Sequence, residues 1–456
     1  MDFLSILNTI DTFIWGPPLL VLLVGTGIYF TIRLGVIQIT KLPKALKLIF
    51  KAENNGSGDI SSFGALCTAL AATIGTGNIV GVATAIKAGG PGALFWMWLA
   101  AFFGMATKYS EGVLAIKYRT KDANGKVSGG PMYYIVNGMG EKWRPLAIFF
   151  AVSGILVALL GIGTFSQVNS ITDAVNGSFG VDPRITGIIL AVCVALVVFG
   201  GLQSISNVAT KIVPFMSVIY ILICATILFS SYNLIPQTFE LIFKGAFQPQ
   251  AATGGFLGAT VSMAIRNGIA RGVFSNESGL GSAPIAAAAA KTKFPAEQGL
   301  ISMTGTFIDS IIICTLTGVC LIITGVWQSD LNGAVMTQSA FESVFPNLGS
   351  LFLTVSLTLF AFTTILGWSY YGERCFEFLF GVKRINIFRS IFVLMVLLGA
   401  FLKLEMVWVI ADIVNGLMAL PNLIALLALS PVVIFETKKY MKYLDDKSKD
   451  LREKIS

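Results

Sequence analysis

The stretch AATIGTGNIVG, Ala71–Gly81, sets Gly75, Thr76, Gly77 and Asn78 in the middle of an apolar run that begins at Ser62. A second stretch, RNGIARGVFSNESGLGSAP, Arg266–Pro284, sets Arg266, Asn267, Arg271, Asn276 and Glu277 beside Gly279, Gly281 and Pro284. In a helix interior glycine costs about 1 kcal/mol and proline about 3. In hydrocarbon each freed backbone group costs several more, so unwound backbone persists there only where it is buried or lines a cavity. The chemistry it offers is specific. A half-helix ending near Gly75 leaves carbonyls for a cation, and one starting near Gly77 offers N–H groups to an anion. A small zwitterion with a nearby Na⁺ fits both features, and an amino acid is the obvious candidate. The competing reading, that small residues only let helices pack closely, does not account for a matching second break.

The elements that must hold these breaks are membrane spans. Of the 456 residues 55% are hydrophobic and 12% are charged, against about 25% charged in a soluble domain. Apolar runs of roughly 20 residues recur throughout, which indicates a polytopic α-helical membrane protein. The short alternating segments of a β-barrel are not seen. Eleven segments are expected, at about 13–32, 62–88, 90–117, 145–173, 184–201, 208–231, 253–290, 296–327, 349–371, 387–402 and 405–436. The first lacks a basic n-region and reads as a span rather than a cleaved signal peptide.

The net charge of +8 gathers in loops on one side, the positive-inside pattern rather than a nucleic-acid patch. Lysines and arginines fill the loops after segments one and three, whereas 328–348 carries Asp330 and Glu342 and no basic residue. An outside N-terminus and a cytoplasmic C-terminus follow. LPKALKLIFKA (Leu42–Ala52) and the basic tail from Lys438 read as amphipathic surface helices that anchor at anionic headgroups. No histidine is present, which excludes histidine metal sites, general bases and proton relays. The six cysteines include no CxxC pair and read as free thiols, with neither a disulfide framework nor a zinc site.

Segments two and seven lie five apart and so cross the membrane in opposite directions. Segments two to six and seven to eleven then form a five-plus-five inverted repeat with its site at midplane, preceded by one extra helix. The chain divides accordingly into 1–61 (extra helix and amphipathic segment), 62–231 and 253–436 (the repeats), 232–252 (an extracellular connection) and 437–456 (the basic tail).

Three motifs, GTGNIVGVATAI (75–86), GGPMYYI (129–135) and NGIARGVFSNESGLGSAPIAAAA (267–289), resemble those of the alanine or glycine:cation symporter family, over nearly the whole chain. The resemblance implies a LeuT-type fold and Na⁺-coupled uptake of alanine or glycine across a bacterial or archaeal cell membrane. It implies a substrate site at the break of segment two, Gly75 to Gly77. There the Thr76 and Gly77 amides would hold the carboxylate and the Thr73 carbonyl would face the ammonium. Phe274 and Ser275 carbonyls would meet the same ammonium, with Asn276 adding a side-chain contact. A Na⁺ site is implied at the carbonyls of Ala71, Ile74 and Phe360 and the hydroxyls of Thr363 and Thr364. A threonine pair can instead bond back to its own helix. Asn78 and Ser275 match two positions of a second Na⁺ site whose full ligand set is not readable. Trp368, one turn beyond Thr364, would close the pocket around a very small side chain; the alternative is a lipid-interface tryptophan. Gln167 would bond the substrate or act as interhelical glue.

Arg271, Glu277, Asp309 and Asp412 also fall within apolar segments, where charges are expected to pair. Arg271 and Asp412 both sit on the outer half and form a candidate gate. Glu277 is read as capping the inner half-helix of segment seven, or as a protonatable coupling group. The expected function is Na⁺-coupled symport of alanine and/or glycine by alternating access. A proton-coupled carrier using Glu277 or Asp309 is the first rival. A channel is the second, with no filter-like run to support it. No enzyme motif, GxSxG or nucleophile–base pair, stands out.

Overall fold

The structure is a computed structural model and describes residues 3–51, 56–249, 258–401 and 404–453. The start of segment seven (253–257), Ala52, the end of the 232–252 connection (250–252), residue 402 of segment ten and the last tail residues (454–456) lie outside the described residues. The described chain is almost entirely helical.

The first apolar segment, expected at 13–32, is α2 (Pro17–Arg33), preceded by a separate helix α1 (Phe3–Ile14), because Gly16 and the proline pair after it end one helix and start the next. Short α3 (Ile37–Thr40) leads into the amphipathic α4 (Leu42–Lys51). Segment two is broken as expected, into α5 (Ser62–Thr73), a π-turn over Gly77–Gly81 and α6 (Val82–Gly89), with a 54° bend at the break. Next come α7 (Gly92–Lys117), a hairpin of β1 (Thr120–Lys121) and β2 (Val127–Ser128), and a helical turn, α8 (Pro131–Tyr134).

Segment four, expected as one span, is also broken. Gly161–Thr164 separate α9 (Arg144–Leu160) from α10 (Phe165–Phe179). After α11 (Pro183–Val198), α12 (Gly201–Ser230) and α13 (Ile235–Phe247), segment seven appears as α14 (Val261–Asn276) and only a short α15 (Ala283–Ala287). Segment eight is α16 (Pro295–Thr306), a π-helical stretch Phe307–Cys314, and α17 (Thr315–Ile323). A connecting helix α18 (Gly333–Glu342) precedes α19 (Gly349–Phe380) and α20 (Ile385–Gly399). The segment expected at 405–436 stops earlier, as α21 (Leu404–Ala428), and Pro431 opens a new helix, α22 (Ser430–Glu453).

Among the described residues six helices are long and apolar enough to cross a membrane, or seven with the bent pair counted as one. Apolar side chains point outward, with Leu196 and Phe229 each 77% exposed. The carboxylates of Glu111, Glu277 and Asp309 are fully buried inside. This is the distribution of a protein solvated by lipid, where water offers no partner to an intramembrane charge.

Candidate functional site

At the first break Ile74 turns extended (ψ 91°) after donating to Leu70 O, and the regular ladder stops. Three polar contacts replace it. The Gly75 N–H donates to Asn78 Oδ1 at 2.9 Å, and the Thr76 N–H to Gln167 Oε1 at 3.3 Å. Ile74 O accepts from Thr364 Oγ1 at 3.3 Å. Glycine is required here by close approach: a Cβ on Gly75 would stand 2.3 Å from Thr364 Oγ1 and 3.3 Å from Gln167 Oε1. Gly77 likewise faces Ser275, whose Cα is 3.1 Å from where its Cβ would be. A cation acceptor and an anion donor thus lie two residues apart on one unwound strand.

Gln167 reaches the break because the fourth segment unwinds just before it. Its Nε2, the neighbouring Ser166 Oγ and Thr76 Oγ1 are buried without hydrogen-bond partners. Buried orphans of this kind carry a desolvation cost of about 1–3 kcal/mol each, so their gathering at one unwound strand suits a polar ligand.

Of the threonine pair, Thr364 reaches across to α5 while also donating to Phe360 O at 3.1 Å. Thr363 bonds back to Phe360 O (2.9 Å) and Leu359 O (3.1 Å), beside Met216 Sδ at 3.7 Å. Ile74 O, Phe360 O and the Thr364 hydroxyl therefore meet, with buried Ala71 one turn below Ile74. Neutral oxygens are suitable donors for a hard monovalent cation.

The second break is built differently. Glu277, Gly279 and Gly281 all have positive φ (57°, 87° and 82°), so α14 ends in a left-handed turn. Side chains of α7 fill it. Lys108 Nζ donates to Asn276 O at 2.8 Å, and Glu111 Oε1 accepts from Gly279 N and Gly281 N at 3.1 Å each and from Asn422 Nδ2 at 2.7 Å. Glu277 is therefore not the backbone cap expected of it. Its carboxylate takes Trp368 Nε1 at 3.0 Å and the Ser282 hydroxyl. The Asn276 side chain also serves the turn, accepting from Ser278 N and donating to Ser310 Oγ, both at 2.9 Å. Phe274 and Ser275 are buried on the last turn of α14, and Thr73 lies at the end of α5.

Asp309, on the π-helical stretch, joins the two breaks. Its Oδ1 accepts from Asn78 Nδ2 at 2.7 Å, and its Oδ2 from Ser275 Oγ at 2.9 Å and Ser310 Oγ at 3.0 Å. Asn78 and Ser275 thus share a carboxylate that sequence reasoning had named only as a possible proton carrier. Lys108 and Glu111 were missed altogether, although two charges three residues apart in an apolar run are the signal that found Arg271.

Two further sets of contacts lie away from the breaks. Arg271 makes a two-pronged pair with Asp412 (3.0 and 2.8 Å), as the gate reading expects, and stacks 5.4 Å over Phe274. In the second set Asp59 N donates to Ala289 O and Lys291 N to Ile60 O, both at 2.8 Å, so the chain before α5 pairs with the chain after α15. Arg119 clamps that pairing, donating to the carbonyls of Ser57 (2.6 Å), Ala288 (2.8 Å), Ala290 (2.7 Å) and Thr292 (3.3 Å).

An apolar shell around polar, unwound helix segments defines a membrane transporter. The chain belongs to the sodium:alanine symporter family, whose sequence profile matches residues 1–454. It is 53% identical over 458 residues to the sodium/alanine symporter AgcS of Methanococcus maripaludis, covering 99% of this chain and 100% of the relative. It is 56% identical over 446 residues, 97% of each chain, to an uncharacterised transporter of Haemophilus influenzae. Two solved structures share its fold at low identity. One is the Eremococcus coleocola manganese transporter in complex with an aromatic bis-isothiourea substituted compound (TM-score 0.53, 13% identity, 85% of this chain and 82% of that one). The other is a Na⁺-coupled sialic acid symporter in a substrate-bound outward-open state (0.50, 12%, 93% and 83%).

Proposed function

We propose that this chain is a Na⁺-coupled symporter of alanine and/or glycine that works by alternating access. The observation that carries the reading is the pairing at the first break of an acceptor outside the helix ladder, Ile74 O against Thr364, with a donor outside it, Thr76 N against Gln167. In this reading the substrate carboxylate takes the Thr76 and Gly77 amides at the Gly75 break, and Gln167 turns its orphan Nε2 toward it. The ammonium faces the carbonyls of Thr73, Phe274 and Ser275, with Asn276 holding the turn beside them, and Trp368 limits the side chain. One Na⁺ sits among the carbonyls of Ala71, Ile74 and Phe360 and the hydroxyls of Thr363 and Thr364. A second lies at Asn78 and Ser275, with Asp309 supplying the charge.

Na⁺ at the α5–α19 junction would fix the inner half of the broken segment against α19 and so favour the conformation that holds the amino acid. A ligand shifts such an equilibrium only by its difference in affinity between the two states. The Arg271–Asp412 pair and the Arg119 clamp would then open in turn. The expected LeuT-type plan of eleven crossings fits this cycle, with one helix before a five-plus-five repeat bounded at 62–231 and 253–436. So does a multi-pass position in a prokaryotic cell membrane with the N-terminus outside and the C-terminus cytoplasmic.

Purified protein in proteoliposomes should accumulate alanine when an inward Na⁺ gradient is imposed. A matched pH gradient without Na⁺ should drive none, and uptake driven by it would favour the proton-coupled rival instead.

A further inference from the structure

Glu277 occupies a costly position. It is a non-glycine residue in the left-handed region (φ 57°) and its side chain is fully buried, so both backbone and carboxylate are held against their preferences. What its carboxylate touches is an indole, Trp368 Nε1 at 3.0 Å, across the gap between the second break and α19. The indole belongs to the wall of the site on two further counts. It lies one turn from Thr364, and its Cβ would be 2.9 Å from a Cβ on Gly163, in the break that delivers Gln167. Tyr371 packs edge-on against its ring at 5.4 Å.

We infer that Glu277 is a positioning residue for substrate size: its carboxylate fixes the orientation of the Trp368 indole, and with it the largest side chain the site admits. The inference rests on the proposed placement of Trp368 at the substrate. The indole is fully buried and packs against the Tyr371 ring, so its one polar atom must find an acceptor inside the protein, and a charged hydrogen bond from Nε1 to Glu277 fixes which orientation of the ring satisfies it. The geometry also links size selection to the second break, since the residue that sets the indole follows directly on the Asn276 carbonyl held by Lys108.

The test is competition by 2-aminobutyrate, one methylene larger than alanine, against Na⁺-driven alanine uptake in proteoliposomes. One methylene discriminated by a tight pocket is worth roughly 10-fold or more. Trp368→Ala should lower the preference for alanine over 2-aminobutyrate by about that factor. Glu277→Gly, which suits the left-handed backbone, and Glu277→Asp, which keeps the charge but withdraws it from the indole, should lower it similarly. Glu277→Gln should retain the wild-type preference, because its amide oxygen still accepts from Nε1. If Trp368→Ala changes the preference and both Glu277→Gly and Glu277→Asp merely slow uptake, Glu277 does not position the ring and the inference is overturned. If Trp368→Ala also leaves the preference unchanged, the placement of Trp368 at the substrate is wrong, and the inference goes with it.

Discussion

Gly75 and Thr364 are the residues on which the site turns. Gly75→Ala would drive a methyl to 2.3 Å from the Thr364 hydroxyl, a distance that forces α5 and α19 apart. Alanine binding should fall at least about 10-fold with the protein still folded, read by equilibrium dialysis and a thermal melt. Thr364→Val should raise the half-saturating Na⁺ concentration for uptake more than Thr363→Val does. The reason is that Thr364 alone of the pair is hydrogen-bonded across to Ile74 O. The glycines were legible in the sequence because each breaks an expectation for a membrane helix, whereas Thr363 and Thr364 followed only from the family resemblance, since a threonine pair can bond back to its own helix. Gln167 was visible as an intramembrane amide, but its reach to Thr76 N depends on the unwinding at Gly161–Thr164, a break inside an otherwise uninterrupted apolar run. The role of Glu277 was misread because a cap is a local inference, whereas its carboxylate bonds the Trp368 indole, 91 residues away.

The broken segments act as elements through what fills them. The second break is neutralised from within by Lys108 and Glu111 of α7. Lys108→Met would leave the buried Asn276 carbonyl without its donor, at a cost of about 1–3 kcal/mol, and would leave the buried Glu111 carboxylate without the lysine one turn away on α7. A clear drop in melting temperature in detergent is expected, partly restored by Glu111→Gln in the double variant. The end contacts predict opposite changes in access. Arg271→Gln should increase labelling of a cysteine placed at the site by an impermeant reagent added outside. Arg119→Gln should increase it from the cytoplasmic side, because four backbone carbonyls lose their clamp. Equal labelling of wild type and variants would remove the gate assignments. The Arg271–Asp412 pair could be read from sequence since both charges fall on the outer half of apolar runs, where they must pair; the Arg119 clamp could not, because its acceptors are carbonyls.

Across the whole molecule, the hydrophobic pattern indicated a polytopic helical membrane protein, of which six or seven spans are long and apolar enough among the described residues, and glycine and proline marked the two principal breaks. It misplaced several ends. Proline and glycine set a separate helix before segment one and split segment four and segment eleven into helix pairs, and an apolar run does not record where a helix turns within it. The parallel pairing of Ile60 with Ala290 is likewise invisible to periodicity, since neither strand is longer than a single bridge. Coupling is a property of the same scale: the ion and the amino acid must favour one closed conformation of the bundle, and that linkage is reciprocal. Equilibrium binding of alanine to the purified protein across a Na⁺ series tests this most directly. The account predicts alanine affinity that rises at least about 10-fold from Na⁺-free to saturating Na⁺, with Na⁺ binding strengthened by alanine in the same proportion. Alanine affinity independent of Na⁺ would contradict it.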